Sequence, residues 1–202
     1  MSCGVFMENT NKSMINSDTV SSIDELQQIL RLQQINLTQN ISSKEKSEQG
    51  FVTMIYTLET LQSLHQLAPS VIIKDDDKVI AYALVFLKEG RQIYPGFEPM
   101  FTNFEKLSWK GSPLNNYKFY VMGQICVAKE YRGKGMVELL YQKHKELFQD
   151  KFDFIVTEIS TNNLRSIKAH HAVGFKTINI HTDHKGEWEV VLWDWNSPSS
   201  NS

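Results

Sequence analysis

Gly123-Gln124-Ile125-Cys126-Val127 followed by Tyr131-Arg132-Gly133-Lys134-Gly135-Met136 is the stretch that decides the fold. Its first part closes a β-rich run that begins at Phe119. From Met136 to Phe148, apolar residues fall at helical spacing, with Met136, Leu140, His144 and Leu147 on one face. A strand therefore passes into a helix through two glycines. Glycines at such a turn let the backbone come close to a ligand, and the amides freed at the helix start point outward. Those amides, with the helix dipole, suit a pyrophosphate. The turn lacks both the GxGxxG of dinucleotide folds and the GxxxxGK[ST] of nucleotide loops. Alone, it leaves an anion cradle and an ordinary tight turn both open.

Downstream, Phe152 to Ile159 is a nearly continuous apolar run, as expected for a central strand covered on both faces. Asn162 or Asn163 caps a short helix with Leu164 and Ile167, and Gly174 stands where its C-cap should be. Phe175 to His181 and Trp188 to Trp195 alternate as strands around an Asp183–Gly186 turn. Upstream, Ser22-Ile23-Asp24-Glu25 is a capping box that opens a helix to about Asn36. Thr38 to Gly50 reads as a solvated loop or short surface helix, and Phe51 to Tyr56 as a short strand. A second helix closes at Pro69. Val71–Ile73 and Val79–Leu87 are β-rich around Asp75-Asp76-Asp77, which reads as a charged hairpin turn rather than a metal cage. Residues 88–120 are irregular and rich in aromatics, either a folded-over lid or a satellite core.

A chain of 202 residues fits one α/β domain with short ends. We expect a flexible tail or a loosely attached first strand over 1–20, the domain over 21–196, and a second flexible tail over 197–202. The net charge of −2 gives no electrostatic case for nucleic acid or an anionic membrane. No apolar run approaches the roughly 18 residues of a membrane span. Only Cys3 and Cys126 are present, which fits a reduced, cytoplasmic setting.

Taken together, residues 119–180 resemble the GNAT acetyltransferase superfamily, with a looser match from about residue 22. The family's pyrophosphate loop reads Q/R-x-x-G-x-G/A; Arg132 and Gly135 fill its first two defined places, and Val137 stands where a second small residue is usual. An Asn after the fifth strand and a later Gly-Phe are matched by Asn163 and Gly174-Phe175. The resemblance implies an α/β (α+β) fold with a central mixed, mostly antiparallel sheet. That sheet would be splayed between its fourth and fifth strands, with helices on both faces. It also implies acetyl-CoA as co-substrate and no metal. The cofactor would lie against Ile125, Cys126, Val127, Arg132, Gly133, Lys134, Gly135, Met136, Val137 and Asn163. A backbone amide of Cys126 or Val127 would meet the oxyanion formed when an amine attacks the thioester. The branched Val137 would crowd the phosphates.

Proton transfer is open to two readings at each position. His170, four residues before Gly174, stands where the family often has Tyr, and imidazolium could protonate the departing thiolate. It could equally pack on its helix. Glu158, at a strand end beside the cleft, is either the general base or a structural carboxylate. Cys126 is either a thiol in the cleft or core packing.

The function so implied is acetyl-CoA-dependent N-acetylation of a primary amine on a small molecule, peptide or protein, with a homodimer possible. The alternatives are a non-catalytic CoA-binding sensor of the same fold and an interaction domain using the aromatics of 94–109.

Overall fold

The computed structural model describes residues 14–37 and 52–196. Most of the expected N-terminal tail, the 38–50 stretch, Phe51, Cys3 and the 197–202 tail lie outside the described residues.

Within them the chain forms strand β1 (Ile15–Thr19), helix α1 (Ile23–Asn36), helix α2 (Leu58–Leu67) and the hairpin of β2 (Val71–Asp75) with β3 (Lys78–Phe86). Short helices α3 (Gly90–Ile93) and α4 (Glu98–Phe104) and a small hairpin, β4 (Ser108–Trp109) with β5 (Ser112–Pro113), come next. Strand β6 (Phe119–Val127), helix α5 (Met136–Phe148), strand β7 (Phe154–Ser160), helix α6 (Leu164–Val173) and the β8 (Lys176–Asp183)–β9 (Gly186–Asp194) hairpin complete the domain.

The elements start where their local chemistry says they should. Ser22 Oγ accepts from the Glu25 amide at 3.2 Å. The return bond of the capping box falls one residue early, on the Ser21 amide at 2.7 Å, because Glu25 is also drawn to Lys74 Nζ at 2.8 Å. Thr57 caps α2 by accepting from the Thr60 amide. Asp76, at φ +52°, makes the hairpin turn, and its neighbour Asp75 accepts from the Tyr131 hydroxyl.

The expectations are met unevenly. Ile15–Thr19 pairs with β2 along its whole length, so the end of the 1–20 stretch follows the strand reading. The expected strand at 51–56 is reduced to one isolated bridge, Leu37 with Val52. Buried glutamines satisfy its backbone instead: the Tyr56 amide donates to Gln33 Oε1 at 3.2 Å, and Gln124 Nε2 donates to the Met54 carbonyl at 2.9 Å. The aromatic segment 88–120 is folded, with Phe97, Phe101, Phe104 and Leu114 buried in the main core. Phe97 packs on Phe86 with ring centroids 4.3 Å apart.

The large sheet has the order β1-β2-β3-β6-β7-β9-β8, antiparallel except between β6 and β7. Helices α1 and α2 pack against β3 from one side, and α5, with α6 beside it, packs against β1, β2 and β3. The parallel pairing of β6 with β7 covers only Phe119↔Phe154, Tyr120↔Ile155 and Val121↔Val156. Beyond it β6 stays paired with β3 as far as Val127, and β7 with β9 as far as Ser160. Each strand is thus held from outside while a wedge opens between them.

The cause of the wedge lies in β6. Ala83 faces Ile125 and Val85 faces Met122, so Leu84 stands opposite two residues, Gly123 and Gln124. Such a bulge bends its strand and increases its twist. Gly123 permits it, since a Cβ there would lie 1.7 Å from the Phe86 ring. At the parting point the Thr157 hydroxyl donates to the Met122 carbonyl at 2.7 Å, replacing the next ladder bond with a side chain.

Candidate functional site

On one side of the wedge lies a cavity of about 390 Å³. Ile125, Cys126 and Val127 of β6 form one wall, and the turn from Tyr131 to Val137 forms its end. Asn163, Arg165, Ser166, Ala169, His170, Ala172 and Val173 of α6 form the facing wall. The Ala128 amide donates to Ile80 on β3 at 2.8 Å. Strand alternation then turns the backbone of Cys126 toward β3 and leaves the amides of Ile125 and Val127 facing the wedge.

The glycine turn is built to leave amides bare. Gly133 and Gly135 adopt φ of +74° and +79°, which side-chained residues rarely do. Gly135 is the N-cap of α5 and supplies no side-chain cap. A Cβ at Gly135 would meet nothing within 4 Å, so the space before the helix is open. The first amides of α5 have no acceptor within the helix and carry its positive dipole end. Arg132 fastens this turn: its Nε donates to the Val127 carbonyl at 3.0 Å, and its Nη2 to Asn36 Oδ1 at the end of α1. These features fit a pyrophosphate-bearing, extended ligand: a bare-amide cradle at one end and an unpaired strand edge leading from it.

All but one of the residues expected to hold the cofactor line this cavity. The exception is Lys134, which is not among the lining residues and whose Nζ lies 5.5 Å over the Tyr131 ring. Val137 lines the cavity but is half-buried and packs partly on the core. Asn163 caps α6 by accepting from the Ser166 amide at 3.3 Å. Unforeseen were Arg165 and the small residues Ser166, Ala169 and Ala172 on one face of α6, at a spacing that the sequence does carry.

A second cavity of about 220 Å³ lies across the wedge and shares Val52, Ile125, Asn163, Ser166 and His170 with the first. Glu158 belongs to this one, with His181 Nε2 at 3.2 Å from its Oε2. Burial pushes the Glu158 carboxyl above the usual carboxylate range, and His181 partly offsets the push.

His170 and Cys126 line the cavity, and the surroundings of each favour the packing reading given for it. His170 is buried; its Nδ1 lies 2.7 Å from the Ser166 carbonyl and so donates to it, leaving Nε2 to accept from the Tyr141 hydroxyl at 2.6 Å. Burial depresses its pKa to about 4. An imidazolium ready to protonate a thiolate near neutral pH does not fit these surroundings. Cys126 is likewise buried, and desolvation pushes its thiol up to about 12. A thiol so raised suits core packing, and the Cys126 amide faces β3 while that of Val127 faces the wedge. Among the described residues no three His, Cys, Asp or Glu side chains gather as a metal site requires, and no helix is long and apolar enough to cross a membrane.

The acetyltransferase (GNAT) family model matches residues 32–175. No curated protein matches the chain by sequence. Solved structures of similar fold include an acetyltransferase of the GNAT family from Streptococcus agalactiae, at 14% identity and TM-score 0.63, covering 91% of this chain and 96% of that one. The ribosomal-protein-S18-alanine N-acetyltransferase of Escherichia coli matches at 12% identity and TM-score 0.59, over 94% of this chain and 99% of its own. The yncA protein of Salmonella typhimurium, solved with its cofactor acetyl-CoA, matches at 12% identity and TM-score 0.57, over 93% and 98%. At these identities the likeness is one of fold.

Proposed function

The chain belongs to the acetyltransferase (GNAT) family, and from that membership we propose that it is an acetyl-CoA-dependent N-acetyltransferase acting on a primary amine in a ternary complex. The observation that carries the proposal is the meeting of two cavities across the β6–β7 wedge, one with a bare-amide cradle and one with a shielded carboxylate. Acetyl-CoA supplies, when bound, an acetyl group activated as a thioester. The amides of Gly135 and the first turn of α5 hold the pyrophosphate, and the unpaired edge of β6 receives the pantetheine amides as an added strand would. Val127 offers its amide to the oxygen on which negative charge develops. Glu158 takes the proton of the acceptor ammonium; its raised pKa makes it a stronger base than an exposed carboxylate. The acceptor occupies the smaller cavity, so that amine and thioester face each other through the gap and the rate gain comes largely from their alignment.

The neutral, fully engaged His170 favours a second reading, a CoA-binding sensor without turnover. One experiment separates the two: CoA release from acetyl-CoA across a panel of amines, beside CoA-induced thermal stabilisation. We expect release with at least one amine. Glu158→Gln should lower kcat by about 10²-fold or more while keeping the stabilisation. In the wild type kcat/KM should rise with pH through a value above the ordinary carboxylate range, because the base acts deprotonated. Stabilisation with no release from any amine leaves the sensor reading, and no stabilisation at millimolar CoA ends both.

A further inference from the structure

Resting on the acetyltransferase reading, we infer that the acceptor is a single primary amine attached to a bulky apolar group, selected by the segment Gly96–Met100. The smaller cavity is about 220 Å³, below the ~300–1,000 Å³ usual for drug-sized ligands, so it takes one small amine or one side chain at a time. Phe97, Pro99 and Met100 form one wall, with Met54 and Trp188 among the residues completing it.

The wall is preformed. Phe97 is locked between Phe86 and Tyr56, with ring centroids 4.3 Å and 6.2 Å away. Arg91 ties the helix that follows by pairing with both Glu98 and Glu105. Trp188 is fixed as well, its Nε1 donating to Asp183 Oδ1 at 2.9 Å.

Charge narrows the class further. Two carboxylates border the cavity, but Asp183 is committed to its own turn, accepting from the amides of Lys185 at 2.8 Å and Gly186 at 3.1 Å. Glu158 shares its Oε2 with His181 Nε2 at 3.2 Å, and its other oxygen is the one assigned to the acceptor's ammonium. Lys185 borders the same cavity and offsets the charge that Asp183 keeps. A second positive charge on the acceptor, set against the apolar wall of Phe97, Pro99 and Met100, would be left without a partner there, which is unfavourable. Long polyamines are therefore disfavoured along that wall.

Such an amine can be free or can be the N-terminus of a peptide that begins with an apolar residue. The test measures kcat/KM for CoA release from acetyl-CoA with 2-phenylethylamine and leucinamide, with tetrapeptides beginning with Leu or Phe, and with spermidine and a tetrapeptide beginning with Gly. We expect the apolar amines of at least one series to exceed spermidine and the Gly peptide by tenfold or more, and the better series identifies the source. Met100→Glu should cut that preference at least tenfold while CoA-induced thermal stabilisation stays at its wild-type value, which also reports that the variant is folded. Release at similar efficiency across all classes, a preference for spermidine, or an unchanged preference in Met100→Glu overturns the inference and leaves the acetyltransferase reading standing. No release from any amine, with CoA still stabilising, overturns both.

Discussion

His170 joins α5 to α6, accepting a hydrogen bond from the Tyr141 hydroxyl and donating one to the Ser166 carbonyl. Its pKa near 4 against an ordinary 6.5 means that the unfolded chain binds the proton first. Stability is therefore present at neutral pH and drains away as pH falls from about 6.5 toward 4. By linkage this amounts to about 2 kcal/mol at pH 5. His144, also buried and lowered to about 3, works in the same direction. His170→Phe should be less stable at pH 7.5 by about 1–3 kcal/mol, because Tyr141 and the Ser166 carbonyl lose their partner. It should also lose less on going to pH 5 than the wild type does, and its turnover should stay within about threefold. Denaturant melts at the two pH values, with turnover on an active amine, check all three; an acid sensitivity equal to wild type would mean that His170 is not held neutral. Gly135 is the opposite kind of residue, structurally roomy and functionally strict. Gly135→Asp places a carboxylate in the amide cradle and strains a left-handed backbone by roughly 1–2 kcal/mol. CoA affinity should fall at least about 100-fold with only a modest loss of melting temperature, as calorimetry and thermal unfolding would register. Wild-type affinity in the folded variant would make the loop a mere turn.

At the scale of elements, the bulge in β6 is the feature on which the site depends. Gly123→Ala drives a methyl into the Phe86 ring. Crowding of this kind costs about 1–3 kcal/mol and shifts backbone, so we expect a lower melting temperature together with weaker CoA binding. A variant that is destabilised but binds CoA normally would uncouple the bulge from the wedge. The bulge also marks the limit of what could be read in advance. β6, α5 and α6 were legible because period, caps and Gly174 all act locally, and Phe119–Val127 and Met136–Phe148 fall where the pattern puts them. The loop of the resembled family and Asn163 pointed to residues that line one cavity, Lys134 excepted. Gly123 by itself did not announce a bulge, since the need for it comes from Phe86 on another strand. The strand expected at 51–56 failed for a related reason: its β-rich composition is served by Gln33 and Gln124, from distant parts of the chain. The smaller cavity draws on segments near residues 54, 97, 124, 158 and 185, which no local motif links. The state of His170 was equally hidden, because its position was visible but its burial under Tyr141 was not.

Over the whole molecule, the sheet is two laminates, β1-β2-β3-β6 and β7-β9-β8, joined along the short ladder from Phe119 to Val121. The opening between them behaves like a crack whose tip is the bond from Thr157 to the Met122 carbonyl. The β6 arm from Met122 to Val127 is about 17 Å long at strand rise, so a rotation of about 3° at the tip moves the mouth by about 1 Å. Misplacing reacting groups by that much can cost about 10²-fold in rate. Thr157→Val removes the bond and keeps the volume; it should cost only about 1–3 kcal/mol in stability, the usual penalty for orphaning a buried acceptor. Its effect on turnover, measured beside its melting temperature, should be larger than that modest loss suggests. An unchanged kcat would show that the ladder alone sets the angle. A crack tip concentrates whatever strain reaches it, and this one borders the smaller cavity, which Met122 and Thr157 help to line. Substitutions at the root of the wedge can therefore tune the gap between the two cavities, and variation in rate should gather there as well as along the walls.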